Sequence, residues 1–273
     1  MTQEALLEDL PGGTSPLMKD QGDALKSLMM RTRSDPQSLL ETLVSRRCHK
    51  VGPAFEALIQ WGLETGLGYD CIAWDLQVRA GKRTIGALDL VLRDTDGRIE
   101  HWELAYKLYL QADEGHGWAS WVGPNERDRL SLKVAKMVDH QLPLSSRPEA
   151  VQVLEQRGVK NVDMRRILLL GTLFKHWASA PTRALQATQL AQGEWARASE
   201  LKGIVERYPE ARWSRREKPF WFGPWEPHGD SISSIQLRDV LNEFNVTRPQ
   251  LWTCSDGGGK PFFFVSERWG RTS

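Results

Sequence analysis

The sequence predicts a mixed α/β fold, because a helix, three strands, a second helix and a fourth strand follow one another between about residues 50 and 175. Two segments repeat apolar residues every three or four positions, which is typical of amphipathic helices. Four others alternate apolar and polar residues or are continuously apolar, which is typical of strands. A meander of three strands followed by a helical crossover implies a mixed sheet with helices on its faces.

The predicted elements begin with helices. Residues 1–48 have a helical pattern, and a further helix is expected over residues 53–64, where Gly66 and Gly68 end it. A helix is therefore expected directly before the first strand.

Three strands are predicted next, at residues 72–79, 83–93 and 99–110. The second and third strands are joined by residues 94–97, whose Asp-Thr-Asp-Gly sequence is a turn signal between two apolar runs. These two strands are therefore expected to form a hairpin.

The second core helix is predicted over residues 125–141, with Asn125 as its N-cap. Residues 165–174 contain the longest apolar run of the chain, near Ile167 to Phe174, which predicts a buried strand. Together with the preceding elements, this gives the helix–strand–strand–strand–helix–strand order of the core.

The pattern changes beyond residue 175. A helix is expected over residues 183–208, a short helix over 235–244 and a final strand over 260–266. The organisation predicted from the sequence has three parts, which are an N-terminal helical segment (1–48), the α/β core (49–178) and a C-terminal helical and Trp/Pro-rich extension packed on the core (179–273). The sequence leaves open whether this extension is a domain of its own or wraps around the core.

Composition limits the possible functions. The 273 residues carry a formal net charge of +1, so any binding of nucleic acid has to use a local patch. The three cysteines lie far apart without a CxxC pair, which disfavours disulfides and zinc sites and favours reduced thiols in the cytosol. The acidic N-terminus does not resemble a signal peptide, and no apolar run is long enough to span a bilayer. We therefore expect a soluble cytoplasmic protein, of a size that suits one large domain or a core with an appendage. The sequence does not specify its oligomeric state.

The polar residues of the second and third strands are the candidates for a functional centre. Asp89 interrupts a run of Leu and Val, and a buried acid needs a partner because an unpaired buried charge is costly. In the third strand, His101, Glu103, Ala105 and Lys107 share one face because side chains alternate along a strand. The predicted hairpin can bring Asp89 near Glu103. Two carboxylates and a lysine can bind a divalent cation and stabilise a phosphoryl group.

This arrangement resembles the PD-(D/E)XK nuclease superfamily, whose restriction-endonuclease-like core has the same α-β-β-β-α-β order. Glu56, on the preceding helix, matches an acidic residue that many members carry. Parts of the chain are also similar to one bacterial family within that superfamily, domain of unknown function 1853. These parts are residues 86–93, 101–107, 121–125, and 128–130 to 140–142.

The resemblance implies a Mg²⁺-dependent (or Mn²⁺-dependent) nuclease that acts on DNA or RNA. Asp89 and Glu103 would bind the metal, Glu56 would assist, and Lys107 would stabilise charge on the phosphate. The pattern departs from the superfamily at Ala105, since the lysine usually stands there and here comes two residues later, about 7 Å further along the strand.

Each of these residues also has a structural interpretation. Asp89 and Glu103 can form an acid pair that bonds backbone groups or an arginine, Lys107 can pair with Glu103, and Glu56 can be a solvated helix residue. The alternative function is a catalytically inactive module of the same fold that binds nucleic acid or a protein partner.

Two basic regions are candidates for contact with nucleic acid. Charged residues on the second core helix can face a phosphate backbone, namely Arg129, Lys133 and Lys136 beside Asp128. Residues 212–225 mix cations with aromatic residues, a combination that binds phosphates and stacks on bases, and the candidates there are Arg215, Arg216, Lys218 and Trp221. For this stretch the alternative is a segment pinned to the core by its aromatic rings.

Overall fold

The computed structural model describes residues 19–46, 48–113, 117–179, 193–223, 225, 229–243 and 246–271. In these residues the chain has a mixed α/β fold, with ten strands in a mixed sheet and helices beside it. The predicted mixed α/β class is therefore confirmed.

The first ten described helices and strands are, in chain order, α1 (Lys19–Ser34), α2 (Gln37–Ser45), α3 (Val51–Leu67), β1 (Asp70–Ala80), β2 (Arg83–Arg93), β3 (Ile99–Gln111), β4 (Trp121–Val122), α4 (Leu130–Lys136), α5 (Pro148–Glu155) and β5 (Met164–His176). The remaining described elements are β6 (Gly193–Arg197), α6 (Leu201–Arg207), β7 (Arg212–Arg216), β8 (Ile232–Ser233), α7 (Ser234–Glu243), β9 (Gln250–Cys254) and β10 (Lys260–Val265). The predicted strands β1, β2, β3 and β5, the short helix α7 and the final strand β10 are confirmed. Between α3 and β5 the structure has two elements that the predicted order lacked, which are the two-residue strand β4 and helix α5.

The predicted helix over residues 125–141 is wrong at its start. Residues 123–126 form a tight turn, in which the Glu126 N–H donates to the Gly123 carbonyl (2.8 Å) and Glu126 has a φ of 60°. A left-handed residue cannot continue a right-handed helix, so α4 begins only at Leu130 and Asn125 is not its N-cap. After α4 the chain makes one π-helical turn (Met137–Gln141) and one 3₁₀ turn (Leu142–Ser146).

The predicted helix over residues 183–208 is also wrong in part. Residues 193–197 form strand β6, which pairs in parallel with β5 and β10, and helix α6 begins only at Leu201. Pairing on both edges overrides the local helical pattern, because strand preference depends on neighbours more than on sequence. The beginning of this prediction, at 183–192, lies outside the described residues.

The chain forms two compact units. One contains residues 1–106 and 134–170, and the other contains residues 107–133 and 171–273. Strands β3 and β5 each pass from the first unit into the second. The division into three parts that the sequence predicts stays a prediction. The boundaries of the two compact units differ from the boundaries of those three parts.

In the first unit, β1 and β2 pair antiparallel along their length, and β2 pairs antiparallel with the beginning of β3. One face of these strands packs against α5 and the 3₁₀ turn, with Val78, Leu88, Val91, Leu144 and Leu154 buried in a common cluster. This core fixes the strands that carry Asp89 and Glu103.

In the second unit the strand order is β5–β6–β10–β9–β7–β8. The first three strands are parallel, and the pairings β10–β9, β9–β7 and β7–β8 are antiparallel. Helices α6 and α7 cover a cluster that includes Trp213, Leu237, Phe262 and Phe264, all fully buried. This cluster anchors β7 and β9, whose ends carry the basic residues described below.

Candidate functional site: a buried acid network and a basic cleft

Asp89 bonds the backbone directly beside Glu103. The register of β2 and β3 places Leu90 opposite Trp102, and the next residues inward are Asp89 and Glu103. The Leu104 N–H donates to Asp89 Oδ2 at 2.8 Å, and the Asp89 side chain is half-buried. The predicted hairpin therefore brings these two acids to adjoining positions.

Glu103 is fully buried, and protein donors occupy both of its oxygens. The His101 ring nitrogen Nε2 lies 2.8 Å from Oε1, and Gln141 Nε2 donates to Oε2 at 2.5 Å. His101 Nδ1 lies 3.1 Å from Ser145 Oγ, which accepts a bond from Arg165 Nε at 2.9 Å. With the proton on Nε2, each bond in this chain from Arg165 to Glu103 has one donor and one acceptor.

The electrostatics of this network keep the imidazole neutral near pH 7. Burial lowers the pKa of His101 to about 4, the nearby Asp89 charge opposes that shift and the Arg165 charge adds to it. Glu103 therefore accepts its two bonds from uncharged groups in the interior. This matches the structural interpretation of the acid better than a role at a solvated centre.

The arrangement does not fit a metal ion. Mg²⁺ needs accessible oxygen ligands in octahedral geometry and normally keeps several waters. Both oxygens of the buried Glu103 and one oxygen of Asp89 accept N–H donors instead. Among the described residues, no three His, Cys, Asp or Glu side chains are grouped so that they could hold a metal.

Lys107 and Glu56 lie in other surroundings. Lys107 Nζ donates to Asp128 Oδ2 at 2.5 Å in the second unit, with about a third of each side chain exposed (32% and 34%). The salt bridge considered for Lys107 therefore forms with Asp128. Glu56 is half-buried on α3. Its charge acts on the nearby Cys48 thiol. Burial raises the pKa of that thiol, and the Glu56 charge adds to the rise.

The basic residues around α4 do not share one environment. Arg129 is exposed before the helix, and its Nη1 donates to the Ala119 carbonyl (3.4 Å). Lys133 is half-buried and Lys136 is exposed in the last turn. Their contact with phosphates stays a prediction.

The predicted basic and aromatic stretch forms a cleft in the second unit. Strands β7 and β9 are antiparallel neighbours, so the end of β7 lies beside the beginning of β9. The cleft opens there with a volume of about 340 Å³. It is lined by Asn125, Arg215, Arg216, Glu217, Lys218, Trp221, Thr247, Arg248, Pro249, Gln250 and Leu251. Four of the predicted binding residues, Arg215, Arg216, Lys218 and Trp221, are thus brought together.

Positive charge dominates this cleft. Among the described residues, its lining contains four cationic side chains, those of Arg215, Arg216, Lys218 and Arg248, and the single carboxylate of Glu217. Arg215 Nε lies 3.1 Å from Glu217 Oε1, but both side chains are more than half exposed, so water screens this pair. The cleft therefore favours an anion.

Arg216 adds a second electrostatic feature. Its side chain is half-buried in the cleft wall, and burial lowers the pKa of its guanidinium. Desolvation disfavours the charged form, and a bound anion would offset that cost.

Trp221 stabilises the wall of the cleft. Its Nε1 donates to the Arg216 carbonyl (2.8 Å), and its ring meets the buried Phe263 edge-to-face at 5.3 Å between centroids. Lys218 Nζ lies over the same ring at 4.5 Å. Trp221 therefore both lines the cleft and packs against the core, and its contact with nucleic acid stays a prediction.

The sequence analysis did not assign a binding role to Thr247, Arg248 or Gln250. Strand β9 has no clear alternation, so the residues before it gave no signal that they face β7. The turn that carries Asn125 is fixed by its neighbour Glu126, whose Oε1 accepts the Gly270 N–H at 2.9 Å.

Comparison with known proteins gives one match. A family model described as Domain of unknown function (DUF1853) matches residues 1–253, a stretch that contains both the acid network and the cleft. No curated protein and no solved structure matches the chain. Among the described residues, the structure has no helix with the length and apolar character needed to cross a membrane.

Proposed function

We propose that this chain, which belongs to the DUF1853 family, binds the phosphate backbone of nucleic acid. The binding site is the basic cleft where β7 ends and β9 begins. The family description names no activity, so the proposal depends on the cleft. One observation carries it, namely that four cations and a single carboxylate line one concave surface, while the whole chain has a net charge of only +1.

The chemistry of the lining suits a polyanion. Arginine presents a planar fork of donors that bonds phosphate oxygens in pairs, and Arg215 and Arg248 are both exposed. Asn125, Thr247 and Gln250 add neutral amide and hydroxyl groups, which in nucleic-acid complexes contact sugars, phosphates and base edges. The likeness to a nuclease-type core favours the same ligand class, but only by analogy of fold.

In this proposal the acid network supports the fold and takes no part in chemistry. Glu103 is buried with both oxygens bonded, Asp89 bonds a backbone N–H, and Lys107 pairs with Asp128. The protein then acts as a binding module with a restriction-endonuclease-like core.

Salt dependence of binding tests the proposal. Wild type, Arg215→Gln/Arg248→Gln and the control Lys202→Gln/Arg238→Gln would be titrated with labelled short oligonucleotides over a range of salt concentrations. The two variants lose the same charge, but the exposed Lys202 and the half-buried Arg238 lie outside the cleft lining. We expect the cleft variant to lower the slope of log K against log salt by about 2 and the control to leave it unchanged.

Two outcomes contradict the proposal. Wild type that shows no salt-dependent binding to any oligonucleotide removes the function itself. An equal loss in both variants assigns the binding to diffuse charge and not to the cleft.

A metal-dependent nuclease is the second candidate. The observation in its favour is that the register of β2 and β3 puts Asp89 and Glu103 at adjoining positions on neighbouring strands. A metal ion there would have to replace the donors that both acids bond in this structure. Linear, circular and single-stranded substrates would be incubated with Mg²⁺ or Mn²⁺ and with wild type or Asp89→Asn/Glu103→Gln. Cleavage by the wild type alone would establish this candidate, and cleavage by neither would leave the binding module.

A further inference from the structure

We infer that the cleft takes single-stranded nucleic acid, with one base stacked on Phe220 at its rim. The inference rests on the proposed function, since it names the form of nucleic acid that the same cleft would bind. It combines the charge of the lining with an exposed aromatic ring between two residues of that lining.

Phe220 is 61% exposed, so its phenyl ring is accessible to a ligand. It lies between Lys218 and Trp221 in sequence, and both of these residues line the cleft. An exposed phenyl ring therefore stands within two residues of a cation that can meet the phosphates.

The backbone that carries Phe220 is held on both sides. The Phe220 N–H donates to the Glu217 carbonyl and the Trp221 N–H donates to the Pro219 carbonyl, each at 2.9 Å. The next side chain, Trp221, is fixed by its bond to the Arg216 carbonyl and its contact with Phe263. A base that stacks on Phe220 thus meets a platform whose backbone is already ordered, which lowers the entropic cost of binding.

Trp221 is less suited to this role than Phe220. Its ring already contacts Phe263, and the Lys218 ammonium lies over it at 4.5 Å. Trp221 orders the turn and positions Lys218, while the neighbouring Phe220 presents its ring to solvent.

The geometry favours a single strand over a duplex. Bases in a duplex are stacked on one another, so an aromatic side chain reaches the face of a base only where the strand is unpaired. A cleft of about 340 Å³ is in the range of pockets that hold small ligands, which suits a nucleotide unit better than a double helix. Cationic grooves with aromatic platforms are the general means of binding single strands.

The test compares three ligands, which are a single-stranded oligonucleotide, its duplex and the same strand with abasic sites. The proteins are wild type, Phe220→Ala, Phe220→Tyr and the control Leu132→Ala, which removes another exposed apolar side chain (64%). We expect wild type to prefer the single strand, and Phe220→Ala to lose about tenfold affinity for it. Phe220→Tyr and Leu132→Ala should bind like wild type.

The abasic strand separates stacking from other effects, because it keeps the phosphates and lacks the bases. Phe220→Ala should bind it as wild type does. Equal wild-type affinity for duplex and single strand, or an equal loss on the abasic strand, would overturn this inference while salt-dependent binding kept the proposed function. No salt-dependent binding to any of the ligands would overturn both.

Discussion

At the scale of single residues, the acids illustrate what sequence can and cannot predict. Asp89 and Glu103 were identified because an acid inside an apolar strand needs a partner, and the register does bring them to adjoining positions. The sequence did not reveal the partners of Glu103, because Gln141 and the bonded chain through Ser145 lie some forty residues away. Local patterns report which face a residue occupies, and they do not report which distant donors complete its bonds.

Substitution of Glu103 separates a structural acid from a metal ligand. Glu103→Ala removes the carboxylate that faces the fully buried His101 ring and accepts a bond from the half-buried Gln141, so we expect it to lower the free energy of unfolding by about 3 kcal/mol or more. Glu103→Gln keeps the shape and one acceptor, and should cost clearly less. Urea unfolding measures both values. Equal stability of wild type and Glu103→Ala would contradict the structural role.

His101 predicts a pH dependence of stability. Its pKa is lowered to about 4 in the folded protein, against an ordinary 6.5, so between these values the unfolded chain binds more protons than the folded one. The stabilising contribution is complete above pH 6.5 and is lost as the pH falls toward 4. His101→Gln removes this titration and should flatten unfolding free energy against pH in that window. An unchanged slope in the variant would assign the acid sensitivity to other groups.

At the scale of elements, the long strands and the apolar β10 were predictable, whereas β6, β7 and β9 were not. The apolar runs of β2, β3 and β5 predicted those strands almost to their ends. Strands β7 and β9 have five residues each, and β7 (Arg-Trp-Ser-Arg-Arg) lacks regular alternation, so their pairing could not be predicted. The candidate cleft depends on that pairing, which explains why four of its residues were predicted as a basic aromatic stretch and Arg248 was missed.

The approach of β3 to β5 makes one glycine indispensable. A methyl group on Gly171 would stand 1.8 Å from the Lys107 carbonyl oxygen, a backbone atom that cannot move aside cheaply. We expect Gly171→Ala to force the strands apart and to lower the unfolding free energy by about 3 kcal/mol or more. Gly117→Ala is the control, since nothing lies within 4 Å of its new methyl group. Similar unfolding midpoints for the two variants would contradict this close contact.

At the scale of the whole molecule, charge distribution matters more than net charge. The chain is nearly neutral at +1, yet one cleft collects four cations around a single carboxylate. Composition required that any polyanion binding be local, and it could not locate the patch, because the cleft joins residues 125, 215–218, 221 and 247–251. The mixed α/β class followed from the order of the elements. The interleaved boundaries of the two compact units could not be predicted in this way, because they depend on contacts between residues that are far apart in the sequence.

The most direct test of the central claim is an affinity comparison of wild type, Arg215→Gln/Arg248→Gln and Glu217→Gln for a single-stranded oligonucleotide at low salt. If the cleft binds phosphates, loss of two cations should weaken binding, and loss of its carboxylate should strengthen it. Opposite shifts of this kind are the predicted result. Affinities that do not change, or that change in the same direction in both variants, would contradict the assignment of the cleft as the nucleic-acid site.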